Sequence, residues 1–245
     1  MLGPEHPNTL WSINSLGDIC YSQGRFQEAE ALYRKALDGQ KRVLGPEHAD
    51  TLNSMNGLGS AYEAQRRFQE ADSIHREVLE IQKRVLGPDH VETLNSMTRF
   101  AAECSARGRF KEAEPLYREA FEIQKRALGP EHVGTLKSMN GLGRAYRGQG
   151  RYAEAAALFR EALDIEKQAL GADHARTLLS IYNLACIDAA RGDRSRALYG
   201  LRQVVERGWK DADGMARDDD LKSLRGDPAF KTLVARAREN AAKSK

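Results

Sequence analysis

The stretch Leu2-Gly-Pro-Glu-His-Pro-Asn-Thr-Leu10 returns as Leu44-Gly-Pro-Glu-His-Ala-Asp-Thr-Leu52 and as Leu86-Gly-Pro-Asp-His-Val-Glu-Thr-Leu94. It returns again as Leu128-Gly-Pro-Glu-His-Val-Gly-Thr-Leu136 and, without its proline, as Leu170-Gly-Ala-Asp-His-Ala-Arg-Thr-Leu178. Each copy starts 42 residues after the one before. A fixed period of this size marks a stacked array rather than a single closed core. An array carries its function on an extended surface, not in one deep pocket.

Working outward from the connector, both halves of each period are helical. Leu10, Ile13, Leu16, Ile19 and Cys20 are three or four apart, and so are Phe26, Ala29, Leu32, Tyr33, Ala36 and Leu37. Strand-like alternation is absent from both stretches. Ser22-Gln23-Gly24-Arg25 separates them, with a glycine where a helix would end. After the second stretch, Gly45 stops the helix and Pro46 prevents its continuation. Each unit is therefore a helical hairpin, helix A then helix B, joined to the next by about four residues.

The totals fit such an array. The 245 residues are 30% charged with a formal net charge of +3, a mixed polar surface. That balance is too mild for nucleic acid, which calls for one strongly basic face. No apolar run approaches the ~20 residues of a membrane span. The first repeat begins within two residues, which leaves no signal peptide. Cys20, Cys104 and Cys186 are an odd count without metal spacing and fit a reducing compartment, so the expected location is cytoplasmic.

Small and large positions recur in register: Leu16-Gly17 with Ala29, Tyr33 and Ala36, then Leu58-Gly59 with Ala71, His75 and Val78. The third unit has Phe100-Ala101, Ala113, Tyr117 and Ala120; the fourth has Leu142-Gly143, Ala155, Phe159 and Ala162. This pattern resembles the tetratricopeptide (TPR) repeat. With eight residues beyond the usual ~34, about two further helical turns, and with its Leu-Gly-Pro-Glu-His-x-x-Thr-Leu connector, it resembles the kinesin light chain type. The resemblance covers residues 2 to about 207. It implies an all-α, right-handed superhelical solenoid of five 42-residue hairpins, at about 2–43, 44–85, 86–127, 128–169 and 170–208.

The fifth unit departs from the pattern: Ala185 holds the small slot, Asp188 the tyrosine slot and Leu201 the aromatic slot. Residues 209–245 are then expected to form a helical cap, since a solenoid must cover its last apolar face. Asp227-Pro228 reads as an N-cap followed by proline at N1, starting a helix from Pro228 to about Asn240. The string from Asp218 to Phe230 resembles the end-of-array segment of bacterial TPR proteins, some of which are C-terminal regions of Ser/Thr protein kinases. No matching cap precedes the first hairpin, so the expectation is either that this chain is cut from a longer array or that it self-associates through the first hairpin.

Several features invite chemistry. His6, His48, His90, His132 and His174 share one connector slot, but adjacent helices lie ~8–10 Å apart while zinc needs ligands within ~2 Å. Equivalent histidines cannot share an ion, so each is expected to pack or bond locally beside a helix start. His75 holds a core aromatic slot. Trp209-Lys-Asp-Ala-Asp-Gly214 has some character of a calcium loop, but Trp209 and Asp220 would fall at its first and twelfth ligand positions, where the oxygens are wrong or short. The run reads instead as a turn and helix cap. Cys20 and Cys104 share a helix A slot that is tyrosine in units two and four, so they read as buried hydrophobes. The sequence offers no phosphate loop and no nucleophile context. No metal, cofactor or catalytic residue is expected.

The remaining polar face of helix A is the candidate site. TPR resemblance implies that this face lines a concave, peptide-binding surface. It carries Asn14, Asn53, Asn56, Asn95, Arg99, Lys137, Asn140, Arg144, Arg147 and Asn183. A recurring amide can meet an extended backbone with donor and acceptor together. Arg99, Lys137, Arg144 and Arg147 add positive charge, which points to an acidic peptide. The expected function is a non-catalytic scaffold binding a peptide or partner protein. The alternative is the regulatory C-terminal region of a bacterial Ser/Thr kinase whose catalytic domain lies elsewhere.

Overall fold

Pro7 to Ser22 forms the first helix, α1, and its start explains why the connector recurs. The Nδ1 of His6 accepts from the N–H of Asn8 at 3.2 Å, capping the helix, and the Thr9 hydroxyl donates to the Gly3 carbonyl at 3.0 Å. His48, His90, His132 and His174 make the same cap to Asp50, Glu92, Gly134 and Arg176. Thr51, Thr93, Thr135 and Thr177 each donate to the connector glycine carbonyl at 2.8 Å. One orphan N–H at each of these helix starts is thus satisfied by imidazole in place of the usual hydroxyl or carboxylate. The connector histidines bond locally, as expected.

The computed structural model describes residues 3–243. Its helices pair as hairpins: α1 with α2 (Phe26–Val43), α3 (Ala49–Ala64) with α4 (Phe68–Val85), and α5 (Val91–Ala106) with α6 (Phe110–Leu128). Then come α7 (Val133–Gly148) with α8 (Tyr152–Leu170) and α9 (Ala175–Ala190) with α10 (Arg194–Glu206). A cap follows: α11 (Ala212–Arg217), a 3-10 helix (Asp219–Leu224) and α12 (Pro228–Ala242). No strand occurs among the described residues. The chain divides into two compact units, 1–100 and 101–245, with the boundary inside α5.

Within a hairpin the turn needs a left-handed residue. Gly24 supplies it at φ 76°, while the second repeat puts Arg66 there at φ 63°, a conformation that disfavours a side chain. Helices A and B then approach so closely that a methyl group does not fit between them. A Cβ on Gly17 would lie 2.8 Å from the Tyr33 ring, one on Gly59 2.5 Å from His75, and one on Gly143 2.9 Å from Phe159. The small and aromatic slots are two halves of one contact, and His75 is a core residue, tilted against Phe100 at 5.9 Å. Cys20, Cys104 and Cys186 are buried free thiols.

The first unit's core gathers Tyr33, Met55, Leu58 and Val78. In the second unit the last hairpin and the cap share one core, in which Leu201, Val204 and Val205 pack with Met215, Leu221 and Phe230. Asp227 caps α12 by accepting from the Ala229 N–H at 2.8 Å, as the Asp-Pro pair predicts. Asp211 and Asp218 cap α11 and the 3-10 helix, and Trp209 stacks on Tyr182 at 4.8 Å. Among the described residues no helix is long and apolar enough to cross a membrane.

Candidate peptide-binding face

Each compact unit carries its own share of the polar slots of helix A. In the first unit, Asn53 and Asn95 are exposed. Asn14 accepts from the Ser54 hydroxyl at 2.7 Å, and Asn56 accepts from the Arg99 guanidinium. Two of these four amides therefore tie one helix A to the next.

In the second unit, Lys137 and Arg144 are exposed. Asn140 donates to Glu166 at 3.1 Å and accepts from Ser180 at 3.4 Å. Buried Asn183 accepts from Arg147 at 3.3 Å. Of the recurring amides, Asn53 and Asn95 are thus exposed, while Asn14, Asn56, Asn140 and Asn183 have protein partners. Asn14, Asn56 and Asn183 bond to an adjacent helix A, and Asn140 bonds both to its own helix B and to the next helix A.

Arg147 is the main departure from a solvated positive face. Its guanidinium pairs with Asp220 at 3.1 Å and is largely covered. Next to it Asp218 accepts from the Tyr182 hydroxyl at 3.0 Å and from the Cys186 thiol at 3.5 Å. The chain's own acidic turn, 218–220, therefore rests on the inner slots of α9 and reaches α7. Burial pushes the Asp220 carboxyl above the usual carboxylate range, against the opposing pull of Arg147. Burial likewise raises the Tyr182 phenol and the Cys186 thiol, which stay neutral.

Beside this turn lies a cleft of about 490 Å³ lined by Phe110, Arg144, Arg147, Tyr152, Asp219 and Asp220 among others. Arg144 is its exposed cation, and the two rings offer apolar walls. The helical spacing predicts Arg144 and Arg147 on this face and does not predict the aspartates there. The available signal was complementary charge: three consecutive aspartates against a cluster of Arg and Lys. Among the described residues no group of three or more His, Cys, Asp or Glu is placed to hold a metal.

Comparison with known proteins now bears on this geometry. The tetratricopeptide repeat model matches residues 2–42, 16–84, 50–126 and 104–168. This chain belongs to the tetratricopeptide repeat family. The TPR array closely resembles a kinesin light chain-like protein of Podosopora anserina with nearly identical TPR-like repeats. Identity is 32% over 82% of this chain and 96% of that one, with a TM-score of 0.74. A point variant of the same fungal protein aligns at 31% identity over 86% and 98%, with a TM-score of 0.75. BtubC from P. vanneervenii shares the fold at 21% identity over 82% and 80%, with a TM-score of 0.69. No curated protein matches.

Proposed function

We propose that this TPR array is a non-catalytic scaffold that docks an extended acidic peptide on the inner face of the second unit. The observation that carries the reading is the chain's own turn. Asp218 and Asp220 already lie on this face, where the Tyr182 hydroxyl and the Arg147 guanidinium meet their oxygens, which supports acidic side chains as what this face can hold. Arg144 and Lys137 extend the same chemistry into solvent. A ligand carboxylate would pair with Arg144 through charge-assisted bonds, while its apolar side chain would enter between Phe110 and Tyr152. In the first unit Asn53 and Asn95 offer amides to a backbone in the same way. The end-of-array character of residues 218–230, self-association through the first hairpin and a cytoplasmic location belong to this proposal as well.

The test is an immobilised array of extended peptides with and without Asp and Glu, probed with the complete chain. Acidic peptides should be retained, and retention should fall as salt rises. Lys137→Glu with Arg144→Glu should abolish capture while leaving Tm nearly unchanged, because both side chains are exposed. Undiminished capture of the same peptides by the double variant would remove the inner face as the site.

A further inference from the structure

The first repeat closes on the second, and the third on the fourth, through one reused set of contacts. Gln65 donates to the Phe26 carbonyl at 3.4 Å and to Glu30 at 2.8 Å, and Arg67 donates to Glu30 at 2.8 Å. One repeat pair later, Gln149 donates to the Phe110 carbonyl at 3.3 Å and to Glu114 at 2.7 Å, and Arg151 donates to Glu114 at 2.8 Å. The covering helix therefore reads Phe-x-x-Ala-Glu, and the covered one supplies Gln, Arg and an apolar row.

Helix α1 presents the same receiving half, uncovered. Leu16 and Ile19 are 48% and 51% exposed, whereas Leu58 and Leu142, in the slot of Leu16, are 4% and 3% exposed. Gln23 and Arg25 stand where Gln65 and Arg67 stand, and Arg25 already pairs with Glu28 as Arg67 pairs with Glu70. We propose that the exposed face of α1 docks an amphipathic helix that carries Phe-x-x-Ala-Glu, its Glu meeting Gln23 and Arg25.

The face also sets a condition on that helix. A Cβ on Gly57 would lie 2.5 Å from the Tyr33 ring, and one on Gly141 2.3 Å from Tyr117. Those tyrosines, seven residues after the Phe, fit only because glycine faces them. In α1 the slot holds Ser15, so a fitting helix has a small residue seven places after its Phe. A second copy does not meet the condition with its helices B, so self-association through the first hairpin would use other contacts. Its α2 and α6 carry Tyr33 and Tyr117, and both are already closed on its own α3 and α7.

The experiment titrates the complete chain into fluorescein-labelled peptide 26–43 carrying Tyr33→Ala and reads polarisation, with light scattering on the unliganded chain. Saturable binding is expected, weakened about tenfold when the peptide also carries Glu30→Ala and weakened when Tyr33 is retained. Leu16→Lys and Arg25→Glu in the array should each weaken it, with Tm held because these side chains are exposed. No saturable binding would overturn the proposal, as would equal binding by Leu16→Lys. A dimer that the peptide does not dissociate would assign the face to a second copy. Loss of binding in the Lys137→Glu, Arg144→Glu variant would move the peptide to the inner face, whereas retention there separates this site from the one proposed above.

Discussion

Between the first two repeats, and again between the third and fourth, one hairpin closes on the next with the same Gln, Arg and Glu. The fifth hairpin is closed by a segment that uses none of these. At the repeat interface a partly covered carboxylate is ringed by donors: Glu114 accepts from Gln149 and Arg151, and Arg118 also reaches it. The Arg151 guanidinium then lies 4.1 Å from the Tyr146 ring centroid. At the cap, closure is mainly apolar. Leu221, Leu224 and Phe230 complete the core of α9 and α10, Trp209 stacks on Tyr182, and Asn240 ties α12 to the Val205 carbonyl at 2.8 Å. A repeated interface must fit the same helix each time, so polar register contacts suit it. A terminal closure is made once and can be fitted to a single surface.

The strongest way to break the comparison is to remove the cap. Deleting residues 209–245 would uncover Leu201, Val204 and Val205, at about 1.5–3 kcal/mol for each side chain returned to water. Hydrogen exchange should show α9 and α10 losing protection while α1 to α4 keep theirs, since stability in such arrays is carried by nearest neighbours. Simultaneous loss of protection along the entire chain would show that the cap supports more than the hairpin it touches.

A smaller effect separates the tight seams of the repeats from the looser backbone of the cap. Gly143→Leu should overpack the seam against Phe159 and cost about 1–3 kcal/mol. Gly226→Ala, with nothing within 4 Å of the added carbon, should stay within about 0.5 kcal/mol. Thermal denaturation of the two variants decides it. Equal Tm values would mean that the Gly143–Phe159 contact relaxes without cost.

The same contrast explains what was legible in the sequence. Hairpins, turns, the Gly17–Tyr33 type of contact and the Asp227 cap all follow from local patterns that repeat or that have known helix-end chemistry. That His6 and its equivalents act locally follows from their place beside a helix start; that they do so as Nδ1 caps is seen only in the structure. Less legible was the fate of the polar face. Whether Asn140 meets a ligand or Glu166 depends on the separation of stacked helices, which the period does not encode. Arg147 meets Asp220 across 73 positions, through a segment that occurs once, so no repeat announces the contact.

The subtlest prediction uses pH to set the two closures against each other. Burial pushes Glu114 up, but hydrogen bonds from Gln149 and Arg151 outweigh it and hold the folded carboxyl below its usual range. Its contribution to stability is therefore present above the unfolded pKa and is lost as pH falls through the folded one. Asp220 has the opposite sign: its folded pKa is raised, so its ionisation opposes folding at neutral pH and that opposition fades as pH falls through the raised value. Glu114→Gln and Asp220→Asn remove each titration in turn. On acidification from neutral pH, the Tm advantage of the parent over Glu114→Gln should shrink. The Tm of the parent relative to Asp220→Asn should instead shift in the parent's favour. The Arg147 ion pair present in the parent adds an offset to the second difference, so it is the slope with pH, not its value at any one pH, that carries the test. Slopes of the same sign would mean that the acidic turn is held at the fifth repeat by its charge, as the repeat interfaces are, and not by the apolar core beneath it.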